Sequence, residues 1–181
     1  MRNYNTIINR NKNNFIKITI TEEKRDKIES FIPLIIAEKQ KEAEHRFDCF
    51  NEEKRWRTGL YGEAAIEQLF NINVIDWEVG SSEKFGRPDL KGYKVGVKTV
   101  ELGSFPIIKK RNTYPQIICI KDGYSVWVCG LAETGILNNF QDDSLILSPR
   151  LRAKGYKTGF YGFDYLIKIN TLTDLEDYKN D

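Results

Sequence analysis

The pattern of hydrophobic and polar positions divides the chain into a helical first part and a strand-rich second part. Residues 15–20 alternate between apolar and polar side chains, which predicts a short strand. Thr21 follows as a helix cap, with two acids in the first turn, where carboxylates suit the helix dipole. Apolar residues then recur mainly at three- and four-residue steps. This periodicity predicts helices, with a break before Pro33 and a last helix over 58–70.

From Asn73 onward, β-branched and aromatic residues dominate, and they occur in short alternating runs that are typical of strands. We expect strands near residues 73–79, 87–90, 93–101, 116–121 and 124–130. A short helix is expected over 133–140, with extended pieces at 144–147 and 166–169. Helices followed by a largely antiparallel sheet predict an α/β (α+β) fold, in which a central mixed sheet is flanked by helices.

Length and composition fit one folded domain. The chain has 181 residues, of which 40% are hydrophobic, and its net charge is +2. These values exclude a mostly disordered chain and a general polycation. Residues 1–14 form a basic, Asn-rich arm, expected either to be poorly ordered or to touch a polyanion. The remaining residues, 15–181, form a single domain: a helical region 15–70, a sheet core 71–130 and a C-terminal basic and aromatic region 131–181.

Cysteine usage and hydropathy limit the class of protein further. The three cysteines lack Cys-x-x-Cys spacing, which argues against a disulfide framework and a zinc site. Cys119 and Cys129 lie in apolar runs, and we expect both to be buried thiols. No segment approaches the roughly 18 apolar residues that span a bilayer, and the N-terminus lacks the apolar stretch of a secretory signal. We therefore expect a cytoplasmic protein, from a bacterial cell or a virus-infected host cell.

Residues with candidate catalytic side chains are concentrated in one stretch, residues 86–101. Lys91-Gly92 is a turn signal between two extended runs, which predicts an antiparallel hairpin. Alternation along the second strand puts Lys98 on the polar face, on the same side as Gly96. Asp89 leads the hairpin, so we expect its carboxylate and the Lys98 ammonium to share a cleft.

These residues resemble the motif of the PD-(D/E)xK nuclease superfamily, which has a restriction-endonuclease-like core. Pro88-Asp89 and then the strand 95–98, ending in Lys98, are similar to that family's two adjacent strands. The short interval between the aspartate and the lysine is similar to that in the mismatch-repair nicking endonuclease. Upstream, Gly59-Leu60-Tyr61-Gly62-Glu63-Ala64-Ala65 resembles the first core helix, which often supplies a further acid.

The resemblance implies a metal-dependent DNA endonuclease or nicking enzyme that hydrolyses phosphodiester bonds. Glu63 and Asp89 would be ligands of Mg²⁺ (or Mn²⁺), since such hard cations take carboxylates together with waters and phosphate oxygens. Lys98 would stabilise charge on the phosphate or orient the attacking water. The implied catalytic residues are therefore Glu63, Asp89 and Lys98. The implied partner is DNA, and the oligomeric state, a homodimer included, stays open.

One departure from the family pattern leaves the activity open. The second strand acid of the family falls at Gly96, which has no side chain to bind a metal. Glu101 lies three residues past Lys98, so strand parity turns it to the opposite face. The chain is therefore an enzyme with a reduced acid set, a variant carrying an inactivating substitution, or a catalytically inactive nuclease-fold protein. The inactive protein would bind DNA or a protein partner.

Basic residues support a nucleic-acid partner, because they occur in two runs. The first extends from Lys84 to Arg111 and the second from Arg150 to Lys157. A basic run beside aromatic residues, such as those at 158–163, can bind phosphates and stack on bases. The alternative is a solvated loop leading into core aromatics. The residues expected to contact nucleic acid are Arg87, Lys109, Lys110, Arg111, Arg150, Arg152, Lys154 and Lys157.

Overall fold

A computed structural model describes residues 3–39, 51–78 and 88–180, and within them it confirms the α/β fold. The helices are α1 (Tyr4–Asn11), α2 (Glu22–Lys39), α3 (Glu52–Phe70), α4 (Thr134–Asn139) and α5 (Pro149–Ala153). The strands are β1 (Ile16–Thr19), β2 (Gly96–Glu101), β3 (Ile107–Lys109), β4 (Gln116–Asp122), β5 (Ser125–Ala132), β6 (Gln141–Asp142) and β7 (Lys157–Phe160). Short 3₁₀ helices cover Lys12–Asn14, Asp143–Leu145, Phe163–Tyr165 and Leu172–Tyr178. None of the described helices is long and apolar enough to cross a membrane.

The larger sheet is mixed and has the strand order β1-β5-β4-β2. β5 pairs antiparallel with β1 and with β4, whereas β2 pairs parallel with β4. In this parallel pair Gly96 lies opposite Gln116 and Glu101 lies opposite Lys121. Within the described ranges β4 is the only partner of β2. The other side of β2 is therefore a sheet edge, and the candidate site forms there.

One face of the larger sheet is covered by α2 and α3, which bury an apolar core against it. This core includes Ile28, Ile32, Leu60, Ile66, Val95, Ile117 and Val128. α3 approaches β2 very closely, because a Cβ atom at Gly62 would lie 1.6 Å from Thr99 Oγ1. Only a residue without a side chain allows this approach. The close packing places the next residue of α3, Glu63, beside the first half of β2.

The opposite face of the sheet is covered by a small antiparallel sheet, β3-β7-β6, and by α1. α1 buries Ile8 in this second core, and both Arg10 and Asn11 pair with Asp164. The expectation of a poorly ordered arm is therefore wrong for the arm residues that form α1. Burial of one apolar side chain and pairing with an acid from the far end of the chain hold the helix in place.

α2 continues through Pro33, so the predicted break is wrong. Pro33 is exposed, while Phe31, Ile32 and Ile35 on the other side of the helix are buried. Packing of this apolar side outweighs the backbone hydrogen bond that proline removes. The cap at Thr21 is confirmed, since its Oγ1 accepts the Lys24 N–H at 3.4 Å.

The strand expected over 73–79 does not form in its described residues, 73–78. Glu67, buried on α3, accepts the backbone N–H groups of Val74 and Ile75, each at 2.9 Å. These donors are therefore held by a side chain and are not available to a sheet. The same carboxylate pairs with Lys24 at 2.5 Å and so also ties α2 to α3.

In place of the predicted two-stranded hairpin, the chain forms a tight turn followed by a single strand, β2. The Tyr93 N–H donates to the Leu90 carbonyl at 3.1 Å, and the Leu90 N–H donates to the Val95 carbonyl at 3.2 Å. Residues 88–90 therefore close a loop and form no strand, and residue 87 lies outside the described residues. The antiparallel partner expected for β2 is absent from the described residues, where β2 pairs with the later strand β4.

In the C-terminal part, the structure differs from the sequence prediction mainly in its short strands and short helices. The helix expected over 133–140 is confirmed as α4, but β3, β6 and β7 were not predicted. Two to four residues are too few to show alternation, which explains the omission. The piece at 144–147 contains part of a 3₁₀ helix, and 166–169 makes a single bridge between Ile167 and Leu131. Cys119 and Cys129 are confirmed as buried free thiols.

Candidate functional site

Asp89 lies at the edge of the larger sheet, beside the first residues of β2. Its Oδ2 accepts the backbone N–H of Val97 at 2.5 Å. The N–H of Gly96 donates at 3.0 Å to the carbonyl of Pro115, which precedes β4. Because successive N–H groups of a strand point to opposite sides, the Val97 N–H points away from β4. Asp89 therefore caps the open edge of β2, where side chains from both faces of the sheet can approach it.

A cleft of about 250 Å³ opens between the start of β2 and the small sheet. Asp89, Gly96 and Lys98 line it together. The other lining residues are Val97, Ile107, Ile108, Lys109, Asn112, Thr113, Tyr114, Gln116 and Lys157. The structure thus brings Asp89 and Lys98 into one cleft, although the hairpin that suggested this arrangement is not formed.

Glu63 approaches Asp89 from α3, on the opposite face of the sheet. Burial, followed by the negative charges of Asp89 and Glu67, raises the pKa of Glu63 from 4.5 to about 8. Among the described residues, those that line the cleft do not include Glu63. The structure therefore brings Asp89 and Lys98 together in the cleft, whereas Glu63 lies on α3, outside the cleft lining, where the charge of Asp89 still acts on it.

Burial is the largest influence on the pKa values of Asp89 and Lys98. It raises the pKa of Asp89, while the Val97 N–H and the ammonium of Lys98 act in the opposite direction. Burial lowers the pKa of Lys98 to about 8, the positive charge of Lys157 acts in the same direction, and Asp89 opposes them. Over the whole residue, Asp89 is exposed and Lys98 is half-buried. The charge of Lys98 is therefore the better shielded of the two, and it acts more strongly on a bound group than a fully exposed charge would.

At Gly96, the structure shows why a residue without a side chain fits. A Cβ atom there would lie 3.0 Å from Tyr114 Cε2 and 3.2 Å from Asp89 Oδ2. The φ angle of Gly96 is not in the positive range, so its backbone would accept another residue. The Tyr114 ring, however, would have to move. A side chain at this position would project beside Asp89, on the cleft side of β2.

Glu101 lies on the opposite face of β2, as strand parity predicts. Its Oε1 accepts the Thr58 hydroxyl at 2.5 Å and lies 3.5 Å from Lys121 Nζ. Both partners lie outside the lining of the cleft. Glu101 therefore does not replace the acid that is missing at Gly96.

The carboxylates that could hold a cation are Glu63 and Asp89. Over the described ranges, no three His, Cys, Asp or Glu side chains are grouped so that they could share a metal ion. Mg²⁺ is often bound through only one or two carboxylates, with waters and substrate phosphates in its other positions. Mn²⁺ suits the same oxygen ligands. Asp89 in the cleft, together with Glu63, whose pKa the charge of Asp89 raises, would form such a reduced ligand set.

The two basic runs, which are distant in sequence, meet on the small sheet. Antiparallel pairing of β3 with β7 places Lys109 directly opposite Lys157. Both side chains line the cleft that contains Lys98. Arg111, just after β3, and Arg150, on α5, are exposed. The runs therefore form one basic surface, beginning inside the cleft and continuing onto the outside of the small sheet.

The remaining basic candidates differ in their availability to a partner. Lys110 pairs with Asp143 at 2.7 Å, and Arg152 donates to the Ile146 carbonyl at 2.5 Å. These two side chains are thus partly engaged within the protein. Lys154 is exposed, and Arg87 lies outside the described residues.

The aromatic residues after the second run belong to the core. Phe160 and Phe163 are buried, and the Tyr161 ring packs edge-to-face on Phe140 with centroids 5.8 Å apart. The prediction that nucleic-acid bases stack on the aromatic residues is therefore wrong for Phe160 and Phe163. The alternative, that these residues belong to the core, is confirmed for them. Apolar burial in the second core is the physical reason.

Four uncharged polar residues of the cleft were missed by the sequence analysis: Asn112, Thr113, Tyr114 and Gln116. Gln116 lies opposite Gly96 in the parallel pair, and Tyr114 packs over the same glycine. Asn112 is buried, and its N–H donates to Asn138 Oδ1 at 2.9 Å, which fixes the turn after β3. No local motif marks these residues, because the cleft depends on long-range strand pairing. The one available signal was a polar glutamine at the start of an apolar strand.

Comparisons of the chain with protein-family models, with curated proteins and with solved structures found no match. The resemblance to the PD-(D/E)xK superfamily therefore rests on the motif residues of the sequence alone. Any function taken from that similarity is a proposal.

Proposed function

We propose that the chain is a metal-dependent DNA endonuclease or nicking enzyme that hydrolyses phosphodiester bonds. The observation that carries the proposal is the presence of Asp89 and Lys98 in one cleft. Glu63 on α3 adds a second carboxyl group that feels the charge of Asp89. A turn, a strand and a helix contribute these three side chains. The combination of two carboxylates and an ammonium group suits a cation and a phosphate side by side.

Glu63 and Asp89 would hold the cation. When bound, Mg²⁺ or Mn²⁺ would polarise the scissile phosphate and lower the pKa of a bound water. Asp89 is well oriented for a ligand, because its bond to the Val97 N–H fixes the carboxylate against β2. Glu63 is fixed by the close packing of α3 on β2 at Gly62.

Lys98 would act on the phosphate. Lys98 is half-buried and lines the cleft, where a positive charge stabilises developing negative charge more strongly than it would on an exposed side chain. The pKa of Lys98 is lowered only to about 8. The group therefore remains mostly protonated at neutral pH and can donate hydrogen bonds to a phosphate oxygen.

The basic surface supports a polyanionic substrate. Lys109 and Lys157 extend the positive charge of Lys98 to the small sheet, and Arg111 and Arg150 extend it outward. Binding to a nucleic-acid backbone draws on such clusters, because each neutralised phosphate releases condensed counterions. The small net charge of +2 conceals this local surplus.

A second candidate is a catalytically inactive nuclease-fold protein that binds DNA or a protein partner. The Tyr114 ring favours this candidate, because it packs where the side chain of the family's second acid would begin. The cleft is then left with one acid of its own, Asp89. The two candidates share the basic surface and differ in whether the two carboxylates suffice to hold a cation.

Cleavage of supercoiled plasmid separates the two candidates. We expect nicked or linear product with Mg²⁺ or Mn²⁺, none with EDTA, and none from Asp89→Ala with either ion. DNA binding is measured in parallel in EDTA by gel shift. Binding without cleavage under every metal condition would support the inactive protein, and the absence of both would contradict a nucleic-acid function altogether.

A further inference from the structure

The cleft contains more positive charge than its own acid balances. Within the described parts of the chain, its charged lining consists of three ammonium groups, those of Lys98, Lys109 and Lys157, and one carboxylate, that of Asp89. The surplus is two positive charges, since three minus one is two. Such a surplus in a partly enclosed space favours an anionic ligand.

The fold itself forces the three lysines together. Lys109 and Lys157 are directly opposite each other in the β3–β7 pair. Like charges in such a position destabilise a sheet. Lys98 enters the cleft from the other sheet, and the charge of Lys157 lowers its pKa. Of the cleft-lining residues that the structure describes, Asp89 alone carries a negative charge that offsets this repulsion, so a bound anion would stabilise the arrangement.

Neighbouring contacts hold two of the lysines at the cleft. The turn after Lys109 is fixed by Asn112, whose side-chain amide donates to the Lys109 carbonyl at 2.9 Å and to Asn138 Oδ1 at 3.1 Å. Lys157 Nζ lies 5.6 Å from the centre of the Tyr156 ring, within the range of a cation–π contact. The positive charges are therefore presented from restrained positions.

Size and charge together identify the ligand. A cleft of about 250 Å³ is smaller than the pockets of roughly 300–1,000 Å³ that enclose drug-sized ligands. It suits a phosphate group with little of the attached sugar. A phosphodiester carries one negative charge, whereas a phosphate monoester carries about 1.5 to 2 at neutral pH. The surplus of two positive charges matches the monoester.

We propose that the cleft binds a terminal phosphate monoester of a nucleic-acid chain, with Lys98, Lys109 and Lys157 as its direct contacts. The nucleic-acid source of this phosphate rests on the proposed function, while the anion site rests on the cleft alone. The cleft then prefers nucleic acid with a phosphorylated end or a phosphorylated nick, and a closed circle, the substrate of the plasmid assay, binds without this contact. Lys157 becomes a specificity-determining residue contributed from far along the chain.

The test measures binding in EDTA, so that it does not depend on cleavage. Internally labelled oligonucleotides of one sequence carry phosphate or hydroxyl at the 5′ end or at the 3′ end, and a closed circle has no end. We expect one phosphorylated end to bind roughly 10-fold more tightly than its hydroxyl counterpart, as charge-assisted hydrogen bonds would give. The circle should bind like the hydroxyl-ended strand.

Three variants make the assignment specific. Lys157→Gln should remove the preference for the phosphorylated end, Lys157→Arg should keep most of it, and Lys168→Gln, an exposed lysine outside the cleft, should leave it unchanged. Thermal unfolding with inorganic phosphate is measured on the same proteins, with chloride at equal ionic strength as the control. Phosphate should stabilise the wild type more than Lys157→Gln.

Equal affinity for phosphorylated and hydroxyl ends would overturn the proposal. So would a preference that survives in a folded Lys157→Gln protein. Stabilisation by inorganic phosphate without any preference among the oligonucleotides would overturn the nucleic-acid end as the source of the ligand. A failure of the plasmid assay would remove the hydrolytic function and leave these binding results intact.

Discussion

Two opposing influences act on the protonation of the Glu63 carboxyl group. Burial and the neighbouring carboxylates of Asp89 and Glu67 favour its protonated form, with a pKa of about 8. A cation shared with Asp89 would favour the ionised form, because a bound ion is the largest local charge in such a site. The ionisation of this one side chain therefore reports on metal binding without any measurement of activity.

Replacing Glu63 should change how stability depends on pH. Between the ordinary value of 4.5 and about 8, the native protein keeps a proton on Glu63 that the unfolded chain has released. Stability contributed by this group therefore falls as the pH rises through that interval. Glu63→Gln should lose less of its unfolding free energy between pH 5 and pH 8 than the wild type, as measured by urea denaturation.

Mg²⁺ or Mn²⁺ should reverse this loss at pH 8 in the wild type and not in Glu63→Gln. Glu53→Gln, in the exposed first turn of the same helix, serves as the control and should behave like the wild type. An equal response of Glu63→Gln and the wild type to the metal would contradict the role of Glu63 as a ligand.

Gly96 allows the missing acid to be restored. Gly96→Asp alone should destabilise the protein by about 1–3 kcal/mol, because its Cβ would crowd the Tyr114 ring. The double variant with Tyr114→Ala removes the ring and should recover part of this loss. If the chain works with a reduced acid set, the double variant should change the cleavage rate only modestly relative to Tyr114→Ala. Cleavage that appears only in the double variant would instead support a degenerate site.

At the scale of elements, the site depends on how closely α3 packs on β2. Gly62 lies against Thr99 at a distance that excludes any Cβ atom, and this contact sets the height of Glu63 above the sheet. Asp89 approaches the same strand from its open edge, and Lys98 leaves it towards the other face. β2 is therefore the common support of all three groups.

Two neighbouring glycines of α3 should respond oppositely to alanine. Gly62→Ala should destabilise the fold by about 3 kcal/mol or more, since overpacking forces the helix away from Thr99. Gly59→Ala meets nothing within 4 Å and should stabilise the helix by about 0.5–1 kcal/mol. Chemical denaturation of both variants measures these changes. Equal effects at the two positions would contradict the close approach of α3 to β2.

The sequence predicted those elements whose pattern is long enough to be distinctive. β1, β4 and β5 carry clear apolar runs, and α2 and α3 carry apolar stripes. Tertiary contacts overrode the local pattern where Pro33 stayed inside a helix and where Glu67 took the N–H groups of the expected strand. Asp89 and Lys98 could be found because few residues separate them. Lys157 could not be linked to them, because β3–β7 pairing is invisible in sequence.

At the scale of the molecule, the fold brings basic residues from distant parts of the sequence together on the small sheet, where Lys109 lies opposite Lys157. The charges come from both basic runs, and the acidic residues near the C-terminus offset them in the total. The net charge therefore hides a local concentration of positive charge in the folded protein. This concentration is what makes binding of a polyanion plausible for a chain with a net charge of only +2.

DNA binding should depend steeply on salt, and the slope should follow the basic surface. Lys109→Gln and Arg150→Gln should each weaken binding and reduce the slope of log K against log salt by about 1. The loss should be similar for DNA of different sequences. Fluorescence anisotropy over a salt series measures the slope, with Lys168→Gln as a control of equal charge change. Unchanged slopes for both variants would contradict an electrostatic contact at this surface.

The central claim, that Asp89 belongs to a hydrolytic site, is tested most directly by the rate of plasmid nicking in Mg²⁺ by three proteins. These are the wild type, Asp89→Asn, and Asp177→Asn, which neutralises an exposed acid away from the cleft. We expect Asp89→Asn to lose about 100-fold or more of the rate, as is typical when an electrostatic group of a catalytic site is removed. Asp177→Asn should cut like the wild type. A wild-type protein that does not nick DNA, or an Asp89→Asn protein that nicks at the wild-type rate, would contradict the account.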